Sequence, residues 1–237
     1  MKSNQEFKNE ALAALQGNWT PAVLATLVVL AIIMVASGPS VYSTVTMSQM
    51  TSMNTEALMD VIRRTNGLNS LQMILSILVV FPLGIGFMNA FKELLFKGDN
   101  QLLSNTFRIG LSNYWHKVWG YLLMYILVIL WSFLLIIPGI IKAFSYAMTP
   151  YILEDRPELS ASDAIHLSRT MMRGHKFDLF YLYLSFIGWA LLCLVTCGIG
   201  FLWLTPYMQT TTAAFYQEVK TAMGDDFEAQ IRATANL

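Results

Sequence analysis

The stretch from Leu179 to Gln217, LFYLYLSFIGWALLCLVTCGIGFLWLTPYMQTTTAAFYQ, contains 39 residues and no charge. One helix of that length would measure roughly 60 Å at ~1.5 Å per residue. The hydrocarbon core of a bilayer is only ~30 Å thick and needs about 20 apolar helical residues. The segment Thr196-Cys197-Gly198-Ile199-Gly200 supplies a break, because glycine permits a tight turn. The stretch therefore predicts two membrane-spanning helices, 177–196 and 200–217, which fold back on each other.

The composition of the whole chain agrees with this interpretation. Of its 237 residues, 55% are hydrophobic and 13% are charged, about half the charged share of a soluble domain. Fifteen basic and fifteen acidic residues leave no net charge, so the chain offers nucleic acid no overall attraction. Two cysteines cannot build a disulfide framework, and the abundant apolar residues exclude disorder. We predict an all-α, polytopic membrane protein.

Three further stretches poor in charge extend the pattern. Residues 19–36 and 71–91 each predict one span, with 37–70 as an extracytoplasmic loop between them. Residues 118–153 carry one charge, Lys142, and contain Pro138-Gly139. This pair predicts a span at 118–137, a turn, and a return at 140–153. The return has only 14 residues, so it is either kinked or a re-entrant segment that does not cross. The chain would then be a bundle of about six transmembrane helices in three hairpins.

The basic residues predict the orientation of these spans. Twelve of the fifteen lie in the segments 1–18, 92–117, 154–178 and 218–237, and three lie elsewhere: Arg63, Arg64 and Lys142. Loops rich in Lys and Arg stay on the cytoplasmic side, so both termini are predicted to be cytoplasmic. The N-terminal tail mixes Glu6 and Glu10 with its lysines, unlike the basic region of a signal peptide. We therefore expect the first helix to be retained.

A segment of amphipathic helix precedes each predicted hairpin. The clearest lies at 160–173 within the cytoplasmic segment 154–176, where Ala164, Leu167 and Met171 share one face. The opposite face carries Asp163, His166, Arg169 and Arg173. Such a helix either lies flat in the headgroup layer or packs on the ends of the spans, and the two arrangements are compatible.

Two weaker segments repeat the arrangement. Residues 5–16 place Phe7, Ala11, Ala14 and Leu15 on one side, and residues 102–111 place Leu103, Phe107 and Leu111 at a four-residue spacing. Thr149-Pro150-Tyr151 also recurs as Thr205-Pro206-Tyr207. We expect three copies of a unit made of an interfacial helix and a hairpin, in a single domain spanning 1–237.

Several runs in the second half resemble a known family. They are LLIIPGIIKA at 134–143, YAMTPYIL at 146–153, LSRTMMRGHK at 167–176 and LSFIGW at 184–189, to which Gly17-Asn18-Trp19 adds a match near the start. These runs resemble the bacterial integral membrane family called domain of unknown function 975. The resemblance implies a multi-pass protein of the bacterial plasma membrane. The family carries no established activity, so the resemblance transfers no functional residue.

The residue pattern does not favour an enzyme. The three histidines, His116, His166 and His175, form no metal-binding pair at helical spacing, and no phosphate-cradling or nucleophile motif is present. No Asp, Glu or Arg lies in the membrane core of a predicted span, since Asp178 stands at the very start of its span, and this argues against a carrier that depends on a buried carboxylate. Cys193 and Cys197 are more typical of small core residues than of a metal site. We predict no catalytic residue and no cofactor.

Three functional hypotheses remain. The first is a non-enzymatic module that organises lipid or a partner subunit, possible copies of itself included, through Arg169, Arg173, His175 and Lys176, because a basic cytoplasmic surface attracts anionic headgroups. The second is a small-molecule or ion transporter whose polar path includes Gln209, Thr210, Thr211 and Thr212, next to a proline kink. The third, weaker hypothesis is Cu(I) capture by Met47, Met50 and Met53 in the outer loop.

Overall fold

A computed structural model describes residues 1–47 and 55–224, together with positions 227, 229 and 231. The described residues contain no strand and form twelve helices in chain order. The helices are α1 (Asn4–Leu15), α2 (Trp19–Met47), α3 (Thr55–Leu75), α4 (Phe81–Lys97), α5 (Leu102–Leu111), α6 (Tyr114–Leu134), α7 (Ile136–Tyr146), α8 (Thr149–Asp155), α9 (Ala161–Met171), α10 (Lys176–Leu184), α11 (Ile187–Val195) and α12 (Phe201–Met223). A π-helical segment, Ser76–Val80, joins α3 to α4 without a break. The prediction of an all-α protein is confirmed.

Five helical stretches of the described chain are long and apolar enough to cross a membrane, which indicates an integral membrane protein. They are Trp19–Ala36, Asn69–Lys97, Tyr114–Leu134, Ile136–Asp155 and Lys176–Val195. The last predicted span, 200–217, is helical within α12 but is not one of the five. The polar run Gln209–Thr212 makes that helix less apolar than the others.

The segment 37–70, predicted as a loop, is largely helical. The helix α2 runs on to Met47 and α3 already begins at Thr55. Both helices therefore extend beyond the predicted spans 19–36 and 71–91. Lipid thickness sets the least length of a spanning helix, but it does not oblige the helix to end at the membrane surface.

The hairpin of α6 and α7 turns three residues earlier than predicted. Its break lies at Leu135, whose extended backbone (φ −162°) separates the two helices, and not at Pro138-Gly139. Proline lacks only an N–H that the first turn of a helix leaves unpaired, so Pro138 lies inside the first turn of α7. Gly139 instead permits close packing, since a Cβ there would meet the Oγ atom of Ser132 at 2.2 Å.

The predicted return 140–153 is longer than expected and is kinked. Together α7 and α8 cover residues 136–155, with a turn between Tyr146 and Thr149. Pro150 lies at the start of α8, where its missing N–H costs little. A similar turn at Ser185-Phe186 divides the predicted span 177–196 into α10 and α11.

The three short helices α1, α5 and α9 pack along other helices of the bundle. The helix α5 packs closely on α4, which precedes it in the chain, α9 packs on α6, α7 and α8, and α1 packs on α12 at the other end of the sequence. Each is followed by a residue with a left-handed backbone: Gly17 (φ 81°), Asn113 (φ 44°) and Gly174 (φ 83°). The three short helices therefore end in the same kind of turn.

The apolar faces identified in the sequence lie inside the protein for α1 and α9 and only partly inside for α5. Phe7, Ala11 and Leu15 of α1 are buried, and so are Ala164, Leu167 and Met171 of α9. In α5, Leu103 and Phe107 are half-buried and Leu111 is exposed, whereas the fully buried side chains are those of Leu102, Asn105, Thr106 and Ile109. Close packing of Gly110 on α4 fixes which side of α5 lies inside.

The centre of the molecule is formed by α4, α8 and α12. The side chain of Asn89 in α4 donates to the carbonyl oxygen of Pro150 in α8 at 3.1 Å. The rings of Tyr151 in α8 and Tyr216 in α12 are stacked, with centroids 4.8 Å apart. These contacts join three helices that are far apart in the sequence.

Candidate functional site

The helix α9 presents a basic edge because its apolar face is held inside the protein. Ser160 caps its N-terminus by accepting a hydrogen bond from the backbone N–H of Asp163 at 3.2 Å, as its sequence predicted. Since the stripe through Leu167 and Met171 is buried in the main apolar core, the opposite face points outward. Arg169 and Arg173 are therefore exposed.

Lys142 of α7 joins the cations of α9 and α10. Its ammonium group lies within electrostatic range of Arg169 and Lys176, and it sits 4.3 Å from the centroid of the Trp131 ring, a distance typical of a cation–π contact. Lys142, Arg169, Arg173 and Lys176 are called the basic edge below. The sequence pattern alone places Lys142 near the Pro138-Gly139 turn and apart from the other three, whereas in the structure its ammonium group is within electrostatic range of Arg169 and Lys176.

The surroundings of the basic edge combine charge with exposed aromatic rings. Phe177 and Tyr181 follow Lys176 in α10 and are 73% and 55% exposed. Aromatic side chains beside Lys and Arg are typical of the interface between lipid tails and headgroups. His175, which the sequence grouped with the basic residues, forms instead a pair with Asp178, with Nδ1 and Oδ2 3.1 Å apart.

A buried ion network links the central helices. Asp155 at the end of α8 binds the ammonium group of Lys92 in α4 and that of Lys220 in α12, the latter at 2.6 Å. The hydroxyl of Tyr216 donates to the same carboxylate at 2.9 Å. All four side chains are largely buried. This network thus ties α4, α8 and α12 together at one end of the bundle.

A second buried ion pair lies next to the first. Lys117 of α6 is fully buried, and its ammonium group lies 2.5 Å from the carboxylate of Glu154. It also donates to the hydroxyl of Ser112 at 2.8 Å and to the carbonyl oxygen of Ile109. All three N–H groups of this lysine therefore have acceptors, which reduces the cost of burying its charge.

Sequence reasoning missed both ion pairs. It counted Lys92, Lys117 and Lys220 only among the basic residues of the cytoplasmic segments. One feature of the sequence could have indicated these pairs. Glu154-Asp155 directly follow the uncharged residues 143–153, so this acidic pair and the three lysines all stand at ends of predicted spans. Spacing along the chain cannot show that they meet.

The threonine hydroxyls of the polar run 209–212 form their hydrogen bonds mostly within α12. Thr210, Thr211 and Thr212 are buried, and each hydroxyl donates to the carbonyl oxygen four residues earlier, at 2.7–2.8 Å. Gln209 is half-buried. The hydroxyl oxygen of Thr212 also lies 3.4 Å from that of Tyr183 in α10, so one member of the run reaches another helix.

The remaining candidates are not brought together. Met47 ends the described part of α2, while Met50 and Met53 lie outside the described residues, so the copper hypothesis stays a prediction. Cys193 is buried and Cys197 is exposed, and both thiols are free. Within the described chain, no three His, Cys, Asp or Glu side chains are grouped as metal ligands.

Comparison with known protein families gives a match. A family model described as "Protein of unknown function (DUF975)" matches residues 70–223, which is more than half of the chain. No curated protein and no solved structure matches the sequence.

Proposed function

Because the chain belongs to the DUF975 family, whose description assigns no activity, we propose a function from the geometry: it is a non-enzymatic membrane module that binds anionic lipid headgroups through its basic edge. The observation that carries this proposal is the position of Lys142, whose ammonium group lies over the Trp131 ring and within electrostatic range of Arg169 and Lys176. Arg173 follows the end of α9 and is exposed.

Within the described residues, none of the four cations of the basic edge has a carboxylate oxygen within 4 Å. The lysines of the buried ion pairs differ in this respect, because Lys117 pairs with Glu154 while Lys92 and Lys220 share the carboxylate of Asp155. Cations that converge without a carboxylate repel one another, and an anionic ligand removes that repulsion. A lipid phosphate is the anion that a membrane surface supplies in greatest amount.

The same geometry supports a membrane arrangement with six crossings. We place α12 as the sixth span, with α1, α5 and α9 as the lead-in helices of three hairpin units and both termini in the cytoplasm. Since Lys142 lies beside Arg169 and Lys176, thirteen of the fifteen basic residues then fall on the cytoplasmic side, and two, Arg63 and Arg64, fall on the other. This distribution supports the orientation, and the family resemblance supports the bacterial plasma membrane.

Lipid selectivity in a reconstituted bilayer tests the proposal. The purified chain is placed in phosphatidylcholine vesicles that contain a trace of fluorescent phosphatidylglycerol, and energy transfer from tryptophan reports how strongly the anionic lipid gathers at the protein. We expect a preference for phosphatidylglycerol that falls at least about threefold in R169Q/R173Q and is reduced by salt. The matched control is R63Q/R64Q, which removes the same two charges from an exposed part of α3 and leaves the preference unchanged.

Two results would contradict the proposal. If the unaltered protein shows equal affinity for phosphatidylglycerol and phosphatidylcholine, the basic edge does not bind lipid, and an acidic partner subunit becomes the better candidate. If R63Q/R64Q lowers the preference as much as R169Q/R173Q does, the attraction reflects total charge and has no particular site.

A further inference from the structure

The cations of the basic edge take different positions relative to the membrane-spanning stretches. Lys142 lies within the stretch Ile136–Asp155, and Lys176 is the first residue of the stretch Lys176–Val195. Arg169 belongs to α9, outside the five stretches. One cation is thus inside a span, one at the start of a span, and one beyond both, so the basic edge extends from the headgroup layer towards the lipid tails.

Lys142 stands among apolar side chains that a membrane surrounds with lipid tails. Its neighbours Ile140 and Ile141 are 50% and 47% exposed. Its ammonium group lies 4.3 Å from the centroid of the Trp131 ring and 6.0 Å from that of Tyr146, and such rings attract a cation without neutralising it. A lysine within a span is costly unless it is paired. Since no carboxylate oxygen of the described residues lies within 4 Å of Lys142, a lipid phosphate is the counter-ion within its reach.

The helices that carry these cations are packed together, so the charges cannot separate. The helix α7 packs against both α9 and α10, and the rings of Phe144 in α7 and Phe180 in α10 meet edge to face with centroids 5.9 Å apart. Like charges held on packed helices repel one another until an anion binds. Phe177, which follows Lys176, is 73% exposed and offers the tails of a bound lipid an apolar surface beside the charges.

The charge of these cations exceeds that of an ordinary anionic phospholipid. Phosphatidylglycerol has one phosphodiester and therefore one negative charge, whereas Lys142 lies within electrostatic range of two further cations, Arg169 and Lys176. One such headgroup leaves two of the three positive charges without a partner. Two separate phospholipids would each lose freedom of motion on binding, while two phosphates in one molecule lose it only once.

We propose that the basic edge selects a lipid with two phosphates in one headgroup, of the cardiolipin class, with one phosphate at Lys142 and the other at Arg169 and Lys176. Basic pockets between membrane helices on the cytoplasmic side bind headgroups of this kind in other membrane proteins. The inference rests on the proposed function, because it names the lipid that the same surface selects.

Competition between lipids tests this inference in the phosphatidylcholine vesicles described above. Unlabelled cardiolipin, phosphatidylglycerol or phosphatidate displaces the fluorescent phosphatidylglycerol from the full-length chain, and their effects are compared per phosphate. At about pH 8 phosphatidate carries two charges on a single phosphate, since the second pKa of a phosphomonoester is about 6. We expect cardiolipin to be at least about fivefold more effective per phosphate than either of the others, because its two phosphates are linked.

Substitution of Lys142 separates the contact within the span from the rest of the basic edge. K142Q should reduce the advantage of cardiolipin to less than about twofold, because only one of the two phosphates then has a partner. It should still bind phosphatidylglycerol through Arg169 and Lys176, which also shows that the variant is folded. K142R keeps the charge and the advantage. K97Q, the control, removes a 68% exposed lysine of α4 that already pairs with Glu93, and it leaves the advantage unchanged.

The possible outcomes separate this inference from the proposed function. If cardiolipin is no more effective per phosphate than phosphatidylglycerol or phosphatidate, selection of a lipid with two phosphates is overturned, while binding of anionic lipid stands. An advantage of cardiolipin that persists in K142Q overturns it as well. If the unaltered chain prefers no anionic lipid over phosphatidylcholine, the proposed function fails, and this inference fails with it.

Discussion

Ser168 donates a hydrogen bond to the carbonyl oxygen of Ser145 at 3.0 Å, across the turn that separates α7 from α8. Its hydroxyl oxygen also accepts from the backbone N–H of Met148 at 3.2 Å. One side chain of α9 thus bonds two backbone groups at the kink. Because irregular backbone among membrane-spanning helices must find partners within the protein, α9 is part of the kink as well as the carrier of the basic edge.

We therefore expect S168A to destabilise the protein by about 1–3 kcal/mol, the cost of leaving buried backbone groups without partners. The measurement is the free energy of unfolding in mixed micelles, followed by tryptophan fluorescence. S162A, at an exposed position of the same helix, is the control and should change stability by less than about 0.5 kcal/mol. Similar stability for S168A and the parent chain would show that water replaces the serine.

The pair of Lys117 and Glu154 should respond unequally to removal of either partner. E154Q leaves a charged lysine that is 0% exposed, while K117M leaves a carboxylate that is 24% exposed. An uncompensated charge costs more in the drier position, and breaking a buried pair costs about 3–5 kcal/mol. We expect E154Q to lower the free energy of unfolding more than K117M does.

The double variant E154Q/K117M completes this thermodynamic cycle. It should be more stable than the sum of the single effects predicts, because neither charge is then left alone. Strict additivity of the two changes, or a larger loss in K117M than in E154Q, would indicate that the two groups do not interact as the structure shows.

Close packing between α4 and α5 predicts a contrast between two neighbouring glycines. A Cβ at Gly86 would lie 2.1 Å from the carbonyl oxygen of Thr106, while a Cβ at Gly84 has nothing within 4 Å. Forcing atoms into a packed contact typically costs about 1–3 kcal/mol, whereas alanine in an open helical position gains up to about 1 kcal/mol over glycine. We expect G86A to lower the unfolding temperature and G84A to preserve or raise it. Equal effects of the two substitutions would contradict the close contact between α4 and α5.

The left-handed turn after each lead-in helix gives a prediction for the repeated unit. Gly174 has a φ of 83°, where a side chain costs roughly 1–2 kcal/mol. G174A is expected to be destabilised by about that amount, and G17A by a similar amount because Gly17 has a φ of 81°. G188A, at an open position without positive φ, is the control. Thermal unfolding followed by circular dichroism compares the stability of the three variants. If neither G174A nor G17A is less stable than the parent chain, the two positions do not require a left-handed backbone.

Much of the fold could be predicted from the sequence, because a helix that crosses the bilayer needs about 20 uncharged, apolar residues. The turn predicted at 196–200 is present, with left-handed backbone at Cys197 and Gly198. The family resemblance seen in the runs around Pro138 and Pro150 is confirmed by the match to residues 70–223. Such features are local: each depends on a few consecutive residues and on the thickness of the bilayer.

What the sequence could not supply depends on contacts between distant segments. The turn lies at Leu135 and not at Pro138 because proline is as acceptable in the first turn of a helix as in the turn before it. The inward face of α5 is set by contact of Gly110 with Pro82, which no periodicity within α5 reports. The sequence predicted only part of the basic edge. Arg169 and Arg173 are exposed as expected, but the position of Lys142 near Arg169 depends on how α7 packs beside α9.

The central claim is that the chain crosses a membrane with the basic edge on the cytoplasmic face and the turn at 196–200 on the opposite face. Cysteine labelling tests it most directly, since Cys197 is exposed and Cys193 is buried. We predict that a membrane-impermeant maleimide added to intact cells labels Cys197 but not R173C in a C197S chain, and that inverted vesicles give the reverse. Labelling of both positions from the same side would contradict the claim.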